Sequence, residues 1–454
     1  MSQRHTVPPP FKIPTKKIFK SCLCKDALLD ALHHNFGETT DTRKAPLIPM
    51  ADILMSGYSI FDLKDPSLRA FDNRRQTDLA NLKEVYGIGH VPCDTQMRTV
   101  ADRVNPDELR ANFKAMINML QRGNALQQMA FYKGHYLMSM DGTGSYSSKK
   151  ITSEACQTKN HHNGTVEYYQ QVLALSLVHP DFKEVIPFAP EMITPQDGSA
   201  KNDCERNGAK RLLPDFREDF PRLPVIFIED GLSSNAPHIN DLHKYNMRFI
   251  LGAKPGDHAL LFHNFNVAVE QGTATTFSSI DPKDPNLVHT FSYVNNVSLN
   301  QSNIGLKVNF MEHTERNTKT GKVQKFSWVT DFTITKENAY ILMRGGRCRW
   351  KIENETFNAL KNHGYHFGHN FGLGKKNLSE VFVMLMMLAL LVDQIQELCS
   401  PMFKAALERA GSRRALWYRQ RSLFHCFKLD TMASIYLAIA KGFRPAELDI
   451  ICDE

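Results

Sequence analysis

The spacing of apolar residues divides the chain into a helical beginning, an alternating middle and a helical end. Between about 26 and 120, apolar positions recur every three or four residues, which predicts amphipathic helices. In the stretch DALLDALHHNFG, for example, Leu28, Leu32 and Phe36 share one helical face, and the final glycine suits the end of a helix. The beginning of the chain therefore predicts a helical domain, which would either bind DNA or serve as packing.

The middle of the chain, from 128 to 257, alternates short apolar runs with helical patterns. Residues 136–141 and the run PVIFIED at 224–230 predict strands, and the second run is apolar enough to be covered on both faces of a sheet. The stretch KNDCERNGAKRLL at 201–213 predicts a helix. This alternation predicts an α/β fold with a mixed sheet.

The stretch at 258–338 changes pattern again. Short runs such as GLKVNF alternate apolar and polar residues between turn clusters such as DPKDPN, which predicts an antiparallel β-rich insertion. The chain is predicted to be helical from about 339, and its apolar run at 381–392 is interpreted as a buried core helix. The predicted divisions are a basic mobile tail (1–25), a helical N-terminal domain (26–127), the first part of an α/β domain (128–257), the β-rich insertion (258–338), the completion of the α/β domain (339–400) and a C-terminal helical region (401–454).

Composition narrows the class of protein. A chain of 454 residues exceeds what one compact core holds, so more than one domain is expected. The net charge of +7 is compatible with a polyanionic partner. Nine cysteines without a CxxC pair favour reduced thiols over a disulfide framework.

The tail lacks the apolar core of a signal peptide, and its lysines would either touch phosphate or stay solvated. These lysines are Lys12, Lys16, Lys17, Lys20 and Lys25.

Two aspartates, Asp141 and Asp230, end predicted strands, and each precedes a glycine. Side chains at strand ends can converge at the edge of a sheet, although an Asp–Gly pair is also a common turn signal. Because adjacent strand residues point to opposite faces, only one of Glu229 and Asp230 can face a site shared with Asp141. The match of the two Asp–Gly pairs favours Asp230.

A third carboxylate is expected from the basic stretch RGGRCRWKIENETFNALK at 344–361. At about 100° per helical residue, Glu353 and Glu355 face opposite ways, and Arg349 lies one turn before Glu353 on its face. Glu355 instead pairs with Lys351, as ordinary exposed helix residues do. We therefore favour Glu353 over the alternative that both glutamates are surface residues.

The motifs DGTG, NDCERN, IEDGLSSNAPHI and RWKIENETF together resemble DDE transposases of the cut-and-paste insertion-sequence type, whose third catalytic motif is a Tyr–Arg–Glu–Lys signature. The resemblance covers most of the chain. It implies a ribonuclease-H-like fold with a β-rich insertion ahead of the helix that carries the glutamate. It also implies metal-ligand roles for Asp141, Asp230 and Glu353, and the signature arginine role for Arg349.

Two positions depart from this signature. Gly346 stands where the tyrosine is expected, and Leu360 stands where the lysine is expected, with Lys361 one residue later. Phe357 is displaced by one residue in the same direction. One extra residue within ENETF explains both shifts, and it assigns the lysine role to Lys361.

The resemblance implies phosphoryl transfer assisted by two divalent ions about 3.5–4 Å apart. Oxygen ligands favour Mg²⁺, with Mn²⁺ as a substitute. Arg349 and Lys361 would hold phosphates near the scissile bond. The implied function is cleavage of DNA at the ends of a mobile element and strand transfer into target DNA. The protein would then be at least a homodimer when it holds both ends.

Further DNA contacts are expected from basic and aromatic residues. The candidates are Arg344, Arg347, Lys351, Trp328, Arg413 and Arg414. Trp328 would either stack on a flipped base or pack in the core, and the two C-terminal arginines would either contact the DNA backbone or lie on a solvated helix.

Two rival functions remain at this point. One is a ribonuclease-H-like nuclease without strand transfer, and the other is a catalytically decayed or domesticated DNA-binding protein. In every case we expect no membrane partner. The resemblance implies a prokaryotic cytoplasmic protein that joins the nucleoid when it binds DNA.

Overall fold

The computed structural model describes residues 21–195 and 204–442. The chain forms two compact units. The helical unit comprises Met1–Leu126 and Ala359–Glu454, and the sheet unit comprises Gln127–Asn358. Lys12, Lys16, Lys17 and Lys20 of the predicted tail lie outside the described residues, as do the first two residues of the NDCERN motif.

The described residues in the first part of the helical unit form six α-helices. They are α1 Lys25–Gly37, α2 Met50–Asp62, α3 Leu68–Thr77, α4 Leu79–Tyr86, α5 Asp94–Ala101 and α6 Arg110–Arg122. The face predicted for α1 is buried, including Leu28, Leu32 and Phe36. The predicted helical N-terminal region is confirmed, because helical spacing there reflects a real apolar face.

The sheet unit follows with strands and intervening helices. Its elements are β1 Tyr136–Ser148, β2 Gln157–Asn160, β3 Val166–Val178, β4 Ile186–Pro187, β5 Glu191–Ile193, α7 Glu205–Asp219, β6 Val225–Glu229, α8 Ala236–Lys244, β7 Arg248–Gly252, α9 Ala259–Glu270, β8 Thr275–Ile280, β9 Leu287–Ser298, β10 Lys307–Asn317, β11 Val323–Thr330 and α10 Ala339–Arg347. A π-helical segment, Ile352–Phe357, comes next. The remaining helices are α11 Asn358–Asn362, α12 Leu378–Cys399, α13 Pro401–Ala410, α14 Arg413–Cys426 and α15 Met432–Lys441.

Strand β1 lies in the middle of the α/β part of the sheet. It pairs antiparallel with β3 on one side and parallel with β6 on the other, and β6 pairs parallel with β7. An antiparallel neighbour on one side and two parallel strands on the other form a mixed sheet of the ribonuclease-H-like kind. The predicted α/β fold with helical terminal regions is confirmed.

The β-rich insertion extends this same sheet. Strands β8 to β11 form an antiparallel meander, and β11 pairs with β7, so that the described part of the unit holds one sheet of eleven strands. The sequence interpretation missed α9 at the start of the insertion. Its buried residues Leu261 and Phe265 are four apart, and Phe265 packs edge-on against Phe310, with 4.8 Å between ring centroids. This 12-residue helix was missed because the alternating pattern that follows it was extended back to 258.

Helix α12 runs through the core of the helical unit. Among the described residues it is the one helix long and apolar enough to cross a membrane by length and composition. Nearly all of its residues are buried inside the protein, as expected for a core helix. Asp393 is buried within it, and Lys25 and Lys64 bond to Asp393 at 3.1 and 2.7 Å. Burying these charges is tolerable because each has an opposite partner.

Lys25 corrects the sequence interpretation. It was assigned to the mobile tail as a residue able to touch phosphate, but it begins α1 and is only 2% exposed. Its ammonium group bonds to Asp62 as well as to Asp393. The reason is electrostatic, since two buried aspartates on other helices require cations that local sequence does not reveal.

A buried chain of polar side chains links the insertion to α10. Asp281 accepts a hydrogen bond from His289 at 2.9 Å and another from Tyr340 of α10 at 3.0 Å. The other ring nitrogen of His289 lies 2.9 Å from Nε2 of His313, whose Nδ1 is buried without a hydrogen-bond partner among the described residues. Burial, with His289 and Arg347 nearby, lowers the pKa of His313 to about 3.

We expect His313 to make the sheet unit sensitive to acid. Its pKa in the folded state lies below the unfolded value of about 6.5, so the stability it contributes is complete above that value and is lost as the pH falls toward about 3. One proton gives a slope of about 1.4 kcal/mol per pH unit within that window. Replacing His313 with Phe should remove this slope from urea unfolding curves measured between pH 7 and 4.

The matched control is His263→Phe, at an exposed position on α9. It should leave the slope unchanged. The His313→Phe variant also removes the partner of His289, which lowers stability at every pH. The decisive quantity is therefore the slope of unfolding free energy against pH and not the urea midpoint at one pH. An unaltered slope in His313→Phe would refute the assignment.

Candidate active site

The register of β1 and β6 places two aspartates level with each other. Ser139 of β1 pairs with Ile228 of β6, and this is the last pair of their parallel ladder. Asp141 and Asp230 each follow two residues later, so both lie beyond the ladder, on the same face of the sheet. Glu229 belongs to the opposite face, where its carboxylate lies 2.8 Å from Nε2 of His238 on α8.

The helical segment that carries Glu353 is docked on the face of Asp141. The hydroxyl of Ser139 donates to the backbone carbonyl of Arg349 at 3.1 Å. Ser176 pairs with Ser139 across β1 and β3, and its hydroxyl lies 3.1 Å from that of Thr356. Two buried serines on neighbouring strands therefore anchor both ends of the segment that contains the glutamate.

Arg349 joins two of the three predicted ligands. Its Nη1 donates to Asp141 Oδ2 and to Glu353 Oε1, and both distances are 3.1 Å. Its guanidinium group also stacks on the ring of Trp350, with 4.2 Å between Cζ and the ring centroid. The arginine side chain is only 15% exposed, so it lies between the carboxylates rather than in solvent.

The extra residue inferred within ENETF coincides with the π-helical segment Ile352–Phe357. A π-turn is the form in which an α-helix accommodates an inserted residue, and such turns are frequent at functional sites. The segment starts one residue before Glu353. The unusual spacing after the glutamate therefore has a local structural counterpart.

A cavity of about 670 Å³ opens where the ends of β1 and β6 meet α7 and α8. Asp141, Glu229 and Asp230 line it, together with Glu205 at the start of α7. The carboxylate of Glu205 packs directly on Gly142, where a side-chain carbon would overlap it. The glycine after Asp141 thus leaves room for this close approach, and a larger residue there would require the Glu205 side chain to shift.

The carboxylates at this site are not fully neutralised. Burial raises the pKa of Asp141 to about 7; Arg349 opposes this rise, whereas Glu205 and Glu353 add to it. Burial also raises the pKa of Glu205, and the nearby Asp230 and Glu229 contribute in the same direction. Glu205 therefore interacts with carboxylates on both strands, and the site favours additional positive charge.

His238 is the partner of Glu229 beside this site. Burial alone would lower its pKa, but the adjacent Glu229 raises it through charge and a hydrogen bond. Asn235 caps α8 by accepting a hydrogen bond from the backbone amide of His238, which fixes the histidine below the strand end. Glu229 is thereby paired on its own face.

The donor set fits divalent metal ions by its chemistry. Asp141, Asp230 and Glu353 offer hard oxygen atoms, which Mg²⁺ and Mn²⁺ prefer. As the side chains stand, however, no three Asp, Glu, His or Cys groups in the described parts of the chain are close enough to hold one ion. The guanidinium group of Arg349 occupies the space between two of the expected ligands.

Three of the predicted DNA contacts are engaged within the protein. Arg344 donates to Asp181 at 2.6 Å, and Arg347 donates to Glu315 at 2.6 Å. Lys351 bonds to the backbone carbonyl of Phe182. DNA contact by any of them would therefore exchange an internal bond for a phosphate.

The structure favours core packing for Trp328. Its side chain is 6% exposed and stacks on Phe326, with the rings 10° apart. A base has no access to a ring held in the core, which corrects the assignment of Trp328 to DNA contact.

In the helical unit, Arg413 pairs with Glu397 at 2.8 Å, whereas Arg414 is exposed. Lys361 also belongs to the helical unit, in α11.

Two residues of this region had no role in the sequence interpretation. Glu205 stood within the quoted NDCERN motif, but its closeness to Asp141 depends on how α7 packs against the sheet. Trp350 is 51% exposed beside Arg349, although its type would predict burial. A tryptophan placed between Arg349 and Lys351 in a basic stretch was the sequence signal that could have marked it.

Comparisons with known proteins leave the family open. No protein-family profile matches the chain, and no curated protein sequence matches it. Among solved structures, the chain is similar to a piggyBac transposase in a synaptic complex with hairpin DNA. The likeness covers 95% of this chain and 82% of that one, with 9% identity and a TM-score of 0.36. A likeness this distant does not establish a shared family.

Gly346, the position of the expected tyrosine, is explained by Trp328. A side-chain carbon at Gly346 would overlap the indole ring of Trp328, which is held by Phe326. We expect Gly346→Ala to lower stability, because overpacking costs about 1–3 kcal/mol and outweighs the gain of up to about 1 kcal/mol from alanine in a helix. Thermal unfolding of the full chain measures the change.

Gly37→Ala is the matched control, because Gly37 is also helical and the added carbon would meet Ala51 at an ordinary 3.9 Å. It should leave stability unchanged or slightly higher. Combining Gly346→Ala with Trp328→Phe should cost less than the sum of the two single changes. Simple additivity would show that the two residues do not compete for space.

Proposed function

We propose that this protein is a DNA transposase of the DDE type, which cleaves DNA at the ends of a mobile element and joins those ends to target DNA. One observation carries the proposal: Asp141 and Asp230 each lie two residues beyond the last pair of the parallel β1–β6 ladder, and Arg349 joins Glu353 to Asp141. The insertion-sequence resemblance of the surrounding motifs supports the same function.

In the proposed mechanism, Asp141, Asp230 and Glu353 would hold Mg²⁺ or Mn²⁺. Bound divalent ions would supply activation of water or a DNA 3′-hydroxyl and stabilisation of the leaving oxygen. Arg349 would bind a phosphate beside the scissile bond, and Lys361, in the helical unit, keeps the phosphate-binding role that the resemblance implies. Ser139 and Ser176 hold the glutamate segment at a fixed height above the strands, and orientation of this kind is a large part of catalysis.

The DNA-facing part of the proposal rests on charge. Arg349 contacts the carboxylates of Asp141 and Glu353, and the neighbouring Trp350 is half exposed. Three further basic residues lie close to Arg349 in the sequence, namely Arg344, Arg347 and Lys351. Arg414, exposed in the helical unit, is a separate candidate for contact with the DNA backbone. Cutting two ends together requires at least a homodimer on DNA, and such a protein would work in the cytoplasm of a prokaryote, associated with the nucleoid.

The first test uses purified protein with Mg²⁺ or Mn²⁺ and a DNA fragment that carries its own gene with both flanks. We expect paired, metal-dependent cuts at the element boundaries, mapped as new 3′-hydroxyl ends, and none with Asp141→Ala. Scattered nicks would favour a plain nuclease. Specific retention of the flanks without cuts would favour a DNA-binding protein whose catalysis has decayed.

Asp230→Ala separates chemistry from binding. We expect it to abolish cleavage, because a ligand is lost, while binding to the element ends stays within about twofold of the wild type, since the basic residues are unchanged. Asp257→Ala, another aspartate in the sheet unit, is the matched control and should retain cleavage. Equal losses of binding and cleavage in Asp230→Ala would count against the role of Asp230.

A further inference from the structure

Arg349 occupies the position of a cation between two carboxylates. A single nitrogen, Nη1, lies 3.1 Å from both Asp141 Oδ2 and Glu353 Oε1. Two acidic side chains from distant parts of the chain are thus held together by a charge that belongs to the protein. Charge-assisted bonds of this kind are among the stronger ones in proteins.

The same position is needed by a metal ion that binds Asp141 and Glu353. One oxygen of each carboxylate is engaged by the arginine, and with the side chains in this position the described residues contain no group of three ligands close enough to hold an ion. A metal ion and the guanidinium group therefore compete for the same oxygens, and like charges would repel each other if both stayed.

We propose that Arg349 is an internal counter-ion that closes the metal site until DNA arrives. This inference rests on the proposed function, because it assigns metal ions to the site and phosphate to Arg349. A DNA phosphate offers the guanidinium group a new partner, which frees the oxygens of Asp141 and Glu353. Metal ions and DNA then bind cooperatively, and metal loading away from DNA is suppressed.

The surroundings of Arg349 suit such a movement. Its backbone is fixed, since its carbonyl accepts from Ser139, so only the side chain needs to turn. Its guanidinium group already lies on the ring of Trp350, half of which is exposed. A phosphate that reaches the exposed indole therefore meets the arginine at the rim of the site.

Thermodynamic linkage between metal and DNA binding gives the expected changes in Mn²⁺ affinity. Ligands coupled through a shared group change each other's affinity by roughly 5–150-fold. Removal of Arg349 removes the competitor, so Arg349→Gln should bind Mn²⁺ about tenfold or more tightly in the absence of DNA. In the wild type, duplex DNA should strengthen Mn²⁺ binding by a similar factor, and in Arg349→Gln it should not.

The experiment measures Mn²⁺ binding to the full chain by the electron paramagnetic resonance signal of free Mn²⁺, with and without a 20-base-pair duplex. Titration of the duplex alone corrects for ions that DNA holds. Arg316→Gln, which removes an exposed arginine from β10, is the matched control and should behave as the wild type. Arg349→Lys keeps a positive charge and should lie between the wild type and Arg349→Gln.

Three outcomes decide the matter. Tighter Mn²⁺ binding by Arg349→Gln, abolished by adding Asp141→Asn, supports the counter-ion. Equal or weaker Mn²⁺ binding by a folded Arg349→Gln overturns it and leaves the proposed function standing. Absence of Mn²⁺ binding by every variant, with and without DNA, overturns both the counter-ion and the proposed metal site. Thermal unfolding shows beforehand that each variant is folded.

Discussion

The charge of Asp141, placed half-buried on the central strand, governs the arrangement around it. A carboxylate at that depth needs a cation, and the carboxylates of Glu205 on α7 and Glu353 in the π-helical segment increase the need. Arg349 supplies this cation, and it lies on a segment that is anchored by two buried serines. The charge of Asp141 therefore links three features of the site. These are the register of the sheet, the docking of the Glu353 segment and the position of Arg349.

Buried charges are balanced in the helical unit but not fully balanced at the candidate site. In the helical unit, Lys25 and Lys64 balance Asp62 and Asp393, so the cluster is neutral and fully enclosed. At the candidate site, burial and neighbouring carboxylates leave the pKa of Asp141 near 7 despite Arg349. A closed neutral network stabilises a core, whereas an incompletely balanced one beside a cavity can take up further cations.

The departures from the expected signature have physical explanations in the fold. At Gly346, where the signature predicts a tyrosine, the indole of Trp328 leaves no space for a side chain. The shift after Glu353 falls in a π-helical segment, the form in which a helix absorbs an added residue. The same packing that excludes Trp328 from DNA thus accounts for the missing tyrosine.

The sequence by itself determined the class of fold, because apolar periodicity reports which faces are buried, and this is a local property of α1, β1 or β6. It also selected Asp141, Asp230 and Glu353 as candidates and paired Arg349 with Glu353, since residues four apart meet on a helix. Tertiary structure alone decided what depends on contacts between distant segments. It brought Glu205 to Gly142, buried Lys25 and Trp328, and placed Arg349 on Asp141. These contacts join residues tens to hundreds of positions apart, and only the packing of the whole sheet and its helices determines which charges meet.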